Sequence, residues 1–273
     1  MTVTLDSRKG AAFRHFDSAV TAPDPAGAFT PAALAPGRDR PWFLRHGTPL
    51  RGALDRIVAA SSLVSNAPVL DMRDFGWTQL LRDHWPAIRD EAVAAAREPR
   101  RAPSLARVPP DPRAIGIWRA FFLWGHGYRI AENLDRCPVT AGVVARIPGL
   151  NSAFFSVLAP GTHLPPHRGV TKGLITCHLG LVVPRDGDVR MRVGDRVVRW
   201  AEGETLVFDD TYDHELWNDS TGTRVVLLLQ FRRPLRQPGR WLADTLLGML
   251  PRWNAALTAL ERQAPAQSAK VRS

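Results

Sequence analysis

Residues 154–184 read FFSVLAPGTHLPPHRGVTKGLITCHLGLVVP, two apolar runs joined by a polar loop that contains proline and histidine. Further short runs of β-branched and apolar residues follow, separated by Gly, Pro, Asp and Asn: DVRMRV, RVVRW, ETLVF, HELW and TRVVLLLQF. This spacing is typical of an all-β sandwich or barrel. The sequence therefore predicts about seven strands between residues 152 and 233, arranged as a double-sheet jelly roll of the cupin-like kind.

Helical patterns flank these strands. One apolar stripe with helical spacing precedes them, made of Leu81, Trp85, Ile88, Ala92 and Ala95. Pro86 lies inside this stripe and predicts a kink or a later start of the helix. The overall expectation is a mainly β fold with flanking helices. Its predicted parts are a disordered arm over 1–45, a helical lead-in over 46–151, the jelly-roll core over 152–235, and C-terminal helices with a tail over 236–273.

Composition narrows the class of protein. With 273 residues, 45% hydrophobic and 23% charged, the chain is long enough for one globular domain. Two cysteines are too few for a disulfide framework, and the start, MTVTLDSRKGAAFRHF, has no apolar stretch typical of a secretory signal. These features predict a cytoplasmic location. The net charge of +10 favours an anionic partner such as a membrane surface, but the basic residues are scattered, which argues against a nucleic-acid partner.

Four histidines fall on or beside the predicted strands: His163, His167, His178 and His214. Two of them, His167 and His214, lie on strands that are neighbours in a jelly roll, where they can meet at one metal ion in the mouth of the barrel. Neutral imidazole suits iron, zinc, copper and nickel, so this spacing alone leaves the metal open.

Three segments together resemble the aspartyl/asparaginyl β-hydroxylase family. They are the stretch quoted above, the motif W-x-x-G-E-x-x-x-F-D-D-x-x-x-H-E-x-W-N from Trp200 to Asn218, and TRVVLLLQFRRP. The likeness covers roughly residues 117–235. It implies a double-stranded β-helix that uses Fe(II), the co-substrate 2-oxoglutarate and O₂.

The resemblance also implies roles for five residues. His167 and His214 match the two iron-binding histidines of the family. Arg224 matches the arginine that holds the far carboxylate of 2-oxoglutarate, and a guanidinium is suited to gripping a carboxylate with two hydrogen bonds. Ser156 and His178 match positions that line the same co-substrate.

The third position of the iron site has no side chain here. Most iron oxygenases of this kind add a carboxylate two residues after the first histidine, and that position is Gly169. The family resembled also has glycine there, which implies that water completes the iron shell. Asp209 and Asp210 remain alternative ligands, although turn formation and hydrogen bonding to a histidine are the preferred interpretation of both.

The expected function is a dioxygenase that hydroxylates an unactivated C–H bond. The first expectation for the substrate is the β-carbon of an aspartyl or asparaginyl residue, free, tethered or in a peptide. One alternative is a lipid A-type acyl-chain hydroxylase at the membrane surface, and another is a jelly roll that binds a metal or small acid without turnover. Residues 240–253, RWLADTLLGMLPRW, either contact the inner membrane peripherally or pack on the barrel. Nothing in the sequence indicates an obligate protein partner.

Overall fold

The computed structural model of the protein describes residues 49–97, 105–107, 115–125 and 128–249. The predicted arm over 1–45 and the end of the predicted tail, beyond residue 249, lie outside these ranges. The helices and strands within them run in this order: α1 Pro49–Ala60, a short 3₁₀ turn Met72–Asp74, α2 Thr78–Arg97, β1 Leu105–Arg107, β2 Trp118–Gly125, β3 Tyr128–Arg129, α3 Ala131–Arg136, α4 Pro138–Val144, β4 Leu150–Leu158, β5 Thr162–His167, β6 Leu174–Val182, β7 Asp188–Val193, β8 Arg196–Arg199, β9 Thr205–Phe208, β10 His214–Asp219, β11 Arg224–Arg232 and α5 239–249.

The strands form two antiparallel sheets. The larger sheet has the order β1-β2-β4-β11-β6-β9, with β3 beside β2, and the smaller has the order β5-β10-β7-β8. From β4 to β11 the chain passes repeatedly from one sheet to the other, and side chains from both sheets, such as Val226 and Leu216, pack in one buried cluster between them. This arrangement is the predicted double-stranded β-helix, so the prediction of fold class is confirmed.

Alternation along the strands decides which side chains face the space between the sheets. On β4, Phe155 and Val157 pack in the cluster that includes helix α2, whereas Leu158 packs between the sheets. Ser156 therefore points to the interior of the barrel, because residues two apart share a face. The same alternation places His178 of β6 on the interior side, since Cys177 and Leu179 pack toward the helices.

The core contains eight strands rather than about seven, because the segment THLPPH also forms a strand, β5. Two adjacent prolines, Pro165 and Pro166, hide this strand from sequence patterns, since proline cannot donate a hydrogen bond to a neighbouring strand. β5 lies at the edge of the smaller sheet, where this loss is tolerated. His167, one of the predicted iron ligands, is its last residue.

Residues 118–125, which were expected to belong to a helical lead-in, form strand β2 of the larger sheet instead. Phe121 and Leu123 pack on the helix side of the sheet, and Ala120 and Phe122 pack on the opposite side. The run has no polar alternation because both faces are buried. The sheet therefore begins in the chain before the predicted core boundary at residue 152.

Helix α2 covers the outer face of the larger sheet. Four of the five residues of its predicted stripe are buried: Leu81 and Ile88 have no exposed surface, and Ala92 and Ala95 are buried beside them. Trp85 is partly buried and packs against this cluster. The helix begins at Thr78 and continues through Pro86.

The second helical layer consists of α1 and α5. Leu246 and Leu247 of α5 pack with Leu174 of β6 and with Leu54 of α1. The described part of the segment 240–253 is therefore a helix packed on the barrel, although Trp241 on its opposite side is 64% exposed. Among the described residues, no helix is long and apolar enough to span a membrane.

Candidate active site

His167 and His214 come together at the end of the smaller sheet. They are direct partners in the antiparallel register of β5 and β10, and the centroids of their rings are 4.1 Å apart. The Nδ1 atom of His167 lies 2.8 Å from the carbonyl oxygen of Pro165, and that of His214 lies 3.1 Å from the carbonyl oxygen of Tyr212. A carbonyl can only accept, so each Nδ1 carries the ring proton and each Nε2 keeps a lone pair.

His214 is held in the neutral form that binds metal ions. Burial lowers the pKa of His214 to about 4, because a charged imidazolium is poorly solvated in the interior. The neutral ring of His214 offers a nitrogen ligand that suits a divalent transition metal, and the ring of His167 lies beside it. Within the described ranges, no group of three or more His, Cys, Asp or Glu side chains is arranged to hold a metal ion.

Asp209 is occupied by structural contacts. Its Oδ2 atom accepts hydrogen bonds from Lys172 at 2.7 Å and from Arg233, and its Oδ1 atom accepts from the backbone and hydroxyl of Thr211. All of these groups are largely buried, and the two cations balance the carboxylate. These contacts match the interpretation of Asp209 as a turn-forming residue rather than an iron ligand.

Asp210 differs from its neighbour because one of its oxygens has no hydrogen-bond partner among the described residues. Its Oδ2 accepts from Thr176 at 2.9 Å and from Gln230 at 3.0 Å, whereas Oδ1 is buried and unpaired. Burial, followed by the charge of Asp209, raises the pKa of Asp210 to about 6. A buried oxygen without a donor indicates that a group such as a water molecule belongs beside it.

The Asp210 carboxylate also explains Gly169. A Cβ atom built on Gly169 would lie 2.0 Å from Asp210 Oδ1. The backbone N–H of Gly169 donates to the Asp210 carbonyl at 2.7 Å, which holds the two residues together. The carboxylate thus fills the space that a side chain at position 169 would need.

Besides the histidine pair, a second group of buried polar side chains lies between the sheets. Arg224 is at its centre and Ser156 contacts it, and these residues define the Arg224 pocket. Arg224 is wholly buried, and its Nη1 atom donates to the carbonyl and hydroxyl oxygens of Ser156 at 3.2 and 3.4 Å. Among the described residues no carboxylate pairs with it, and its Nε atom has no hydrogen-bond partner. Desolvation lowers the pKa of Arg224 to about 9. A buried cation without a counter-charge is costly, so this pocket is suited to an anion.

Ser156 contributes a hydroxyl donor to the same pocket. Its Oγ atom accepts hydrogen bonds from the indole Nε1 of Trp118 at 3.0 Å and from Arg224. Both of these partners are donors only, so the hydroxyl proton is left for an acceptor. An anionic ligand beside Arg224 would provide that acceptor.

His178 lies next to this pocket on β6. Burial, followed by the positive charge of Arg224, keeps the pKa of His178 well below its ordinary value. Its Nδ1 atom lies 3.1 Å from Trp200 Nε1. Its Nε2 atom is buried and has no hydrogen-bond partner in the part of the chain that the structure describes. Phe208 packs edge-on against both His178 and His214, so one aromatic ring connects the two pockets.

The sequence patterns did not identify several residues that shape the site. Trp200 is one of them, because its indole N–H donates a hydrogen bond to Nδ1 of His178. Thr176 is another, because its hydroxyl donates to Asp210. Alternation along β6 could have identified it, since residues two apart share a face and Thr176 is two before His178. The contact of Trp118 with Ser156 joins distant segments of the chain and has no local signal.

His163 lies away from the two pockets. It stacks on Trp217 and its Nε2 atom contacts Glu215 at 2.8 Å, on the outer face of the smaller sheet. Beside the histidine pair, Arg168 and Asp213 form a partly exposed ion pair with two hydrogen bonds. This pair joins the residues that directly follow His167 and precede His214.

Comparison with known proteins gives the family. The model of the aspartyl/asparaginyl beta-hydroxylase family matches residues 82–234, more than half of the chain. An ornithine lipid ester-linked acyl 2-hydroxylase from Rhizobium tropici is 37% identical over 237 residues, which is 83% of this chain and 82% of that protein. Human aspartyl/asparaginyl beta-hydroxylase is 31% identical over 176 residues, 61% of this chain but only 23% of the human protein.

Among solved structures, a Pseudomonas putida prolyl-4-hydroxylase aligns with 57% of this chain and 98% of its own, with 17% identity and a TM-score of 0.36. The fold therefore rests on the strand order described above, and the family rests on the sequence matches. The chain belongs to the aspartyl/asparaginyl beta-hydroxylase family, and the matched residues include His167, His214 and Arg224.

Proposed function

We propose that the protein is an Fe(II)- and 2-oxoglutarate-dependent dioxygenase that hydroxylates an unactivated C–H bond. The observation that carries the proposal is Arg224, a wholly buried cation that lacks a carboxylate partner among the described residues. The pocket around it adjoins the pair His167 and His214 through the ring of Phe208, which packs against both His178 and His214. A site for a dicarboxylic acid next to a metal site fits this combination, whereas a purely structural barrel needs neither.

The side chains at the site fit both Fe(II) and 2-oxoglutarate. His167 and His214 would hold the iron through their Nε2 atoms, and the unpaired oxygen of Asp210 would accept a hydrogen bond from water beside it. When bound, iron and 2-oxoglutarate supply the oxidant, since O₂ and the co-substrate yield succinate, CO₂ and one oxygen atom for the product.

The protein's own residues would bind and orient the co-substrate. Arg224 would pair with its far carboxylate, and the hydroxyl of Ser156 would donate to the same group. His178 would donate from Nε2 to the bound acid. These donors are buried, and exclusion of water from such a site strengthens every electrostatic contact within it.

For the substrate, we propose the acyl chain of a membrane lipid rather than an aspartyl or asparaginyl residue. The Rhizobium tropici relative, whose name specifies an ornithine lipid acyl chain, matches this chain over most of its own length, unlike the human protein hydroxylase. This changes the order of the two substrate classes expected from the sequence. The aspartyl or asparaginyl side chain becomes the second candidate.

The surface of the two packed helices is consistent with a lipid substrate. Leu50 and Ile57 of α1 and Trp241 and Met249 of α5 are all exposed apolar residues. Arg51 of α1 donates to the carbonyl of Gly169 at 2.8 Å, so this helix layer lies beside the loop that follows His167. We propose that it rests on the membrane surface, with exposed arginines such as those at 56 and 240 facing anionic headgroups.

The experiment incubates the purified chain with Fe(II), 2-oxoglutarate and O₂ and either lipid vesicles that contain ornithine lipid or peptides that contain Asp and Asn. Mass spectrometry then identifies the class of molecule that gains one oxygen atom. A hydroxylated acyl chain supports the proposal, and a hydroxylated peptide with unchanged lipid contradicts the choice of substrate. His167→Ala serves as the inactive control.

The membrane contact is tested separately by sedimentation with anionic vesicles. The double variant Trp241→Ala/Ile57→Ala should bind them more weakly than the wild type, and high salt should weaken both. Equal binding by the variant and the wild type would refute a role for this helix layer.

A further inference from the structure

We propose that Trp200 is a positioning residue that fixes the tautomer of His178, so that the Nε2–H of His178 donates into the pocket beside Arg224. The inference rests on the proposed co-substrate site, because that pocket is where the donor would act. Trp200 itself would not touch the reacting atoms. It would act through His178 and Arg224.

The hydrogen bond between the two rings decides which nitrogen carries the proton. Trp200 Nε1 lies 3.1 Å from His178 Nδ1, and both side chains are buried. An indole N–H can only donate, so Nδ1 of His178 must accept. In a neutral imidazole the other nitrogen then carries the proton. His178 is thereby left with Nε2 as a fixed donor.

This donor has no partner within the protein. His178 Nε2 is buried without a hydrogen bond to any described residue, and the same is true of Arg224 Nε. Buried polar groups in native proteins are nearly always paired, so two such donors on side chains that both contact Trp200 indicate a ligand that accepts from both. A carboxylate has acceptors on two oxygens and meets this requirement.

Trp200 also orients Arg224. The guanidinium carbon of Arg224 lies 4.6 Å from the centre of the Trp200 ring, within the range of a cation–π contact. One indole therefore contacts both donors of the pocket, through its N–H at His178 and through its ring face at Arg224. Replacing it would loosen the two donors together.

The backbone around Trp200 is built to hold this ring in place. Gly180 lies two residues after His178 on β6, and a Cβ atom there would lie 2.1 Å from the carbonyl oxygen of Ala201. The absence of a side chain lets the segment after Trp200 approach β6. Gly180 N–H donates to Glu204 at 3.0 Å, and its carbonyl accepts from Gly203 at 2.9 Å, which fixes that approach.

The first test reads the tautomer directly. Long-range proton–nitrogen NMR spectra of the full chain, labelled at histidine with ¹⁵N, report which ring nitrogen of His178 carries hydrogen. The wild type should show protonated Nε2 and unprotonated Nδ1. A protonated Nδ1 in the wild type would overturn the proposal, and this measurement requires no variant.

The second test measures binding of 2-oxoglutarate by calorimetry, without O₂ and with Fe(II) present. Trp200→Phe keeps an aromatic ring but removes the N–H, so the His178 tautomers should mix. Affinity for 2-oxoglutarate should fall about five- to tenfold, the effect of one weakened hydrogen bond, while affinity for Fe(II) is unchanged. Trp217→Phe is the matched control, because Trp217 stacks on His163 on the outer face.

The two tests separate the proposal from the proposed function. If the wild type binds no 2-oxoglutarate, the co-substrate assignment fails, whereas the NMR result still decides whether Trp200 fixes the tautomer. If Trp200→Phe leaves both the tautomer and the 2-oxoglutarate affinity as in the wild type, Trp200 is a packing residue and the proposal is wrong.

Discussion

Replacing Gly169 with alanine should destabilise the protein and weaken iron binding at the proposed site. The new Cβ atom would lie 2.0 Å from Asp210 Oδ1 and 2.4 Å from Asp210 Cγ. The backbone of Gly169 is tied by its N–H to the carbonyl of Asp210 and by its carbonyl to Arg51, so it cannot simply retreat. The Asp210 carboxylate must therefore move and lose its contacts with Thr176 and Gln230.

The size of the effect follows from these two changes. Inserting a methyl group into a packed site costs about 1–3 kcal/mol, and disturbing the hydrogen bonds of a buried carboxylate costs about 1–3 kcal/mol more. Together they predict a loss of about 2–6 kcal/mol in the free energy of unfolding. Gly169→Asp should be at least as damaging, because its larger side chain occupies the same space.

Urea denaturation and Fe(II) titration would measure both effects. Gly248→Ala is the matched control, because Gly248 lies in α5 with no atom within 4 Å of the added Cβ, so its stability should not fall. The double variant Gly169→Ala/Asp210→Ala removes the clash and should lose less stability than the sum of its single variants. A Gly169→Ala protein with wild-type stability and iron affinity would refute the steric account.

Three further predictions concern the two pockets. Arg224→Met removes the buried charge that would pair with the proposed co-substrate. Loss of such a contact costs about 2–5 kcal/mol, so calorimetry should show at least a tenfold weaker affinity for 2-oxoglutarate with iron binding intact. His167→Ala should abolish tight Fe(II) binding, whereas His163→Ala should bind Fe(II) nearly normally; the reverse result would show that the ligand assignment is wrong. The metal-free protein should lose stability as pH falls from 6.5 towards 4. The pKa of His214 is about 4 in the folded state and 6.5 when unperturbed. Over that pH range the unfolded chain therefore binds more protons than the folded chain, which favours unfolding. His214→Gln should show a smaller loss over that range in urea denaturation, and an equal loss would contradict the burial of a neutral His214.

Strand alternation is a strong local rule, and it explains which side chains of β4 and β6 face the interior of the barrel. Ser156 and His178 fall on the interior face simply because their apolar neighbours fill the opposite one. The apolar stripe of α2 predicted a helix equally well, because its 3.6-residue period continues on both sides of Pro86.

Features that depend on contacts between distant segments could not be predicted. β5 was not predicted as a strand because it contains two prolines. β2 was not predicted as a strand because both of its faces are buried, so its sequence does not alternate between polar and apolar residues. The role of Gly169 depends on a carboxylate 41 residues further along the chain, and the partner of Trp200 is 22 residues away. Such pairings are set by tertiary packing and leave no periodic signal.

The central claim is that this chain couples 2-oxoglutarate and O₂ to hydroxylation. Its most direct test is the release of succinate by the purified protein with Fe(II), 2-oxoglutarate, O₂ and ornithine lipid vesicles. The account predicts that the wild type releases one succinate for each hydroxylated lipid. Both products should be lost in His214→Ala and strongly reduced in Arg224→Met at low 2-oxoglutarate concentration. Hydroxylated product without succinate, or equal succinate release by the wild type and His214→Ala, would contradict it.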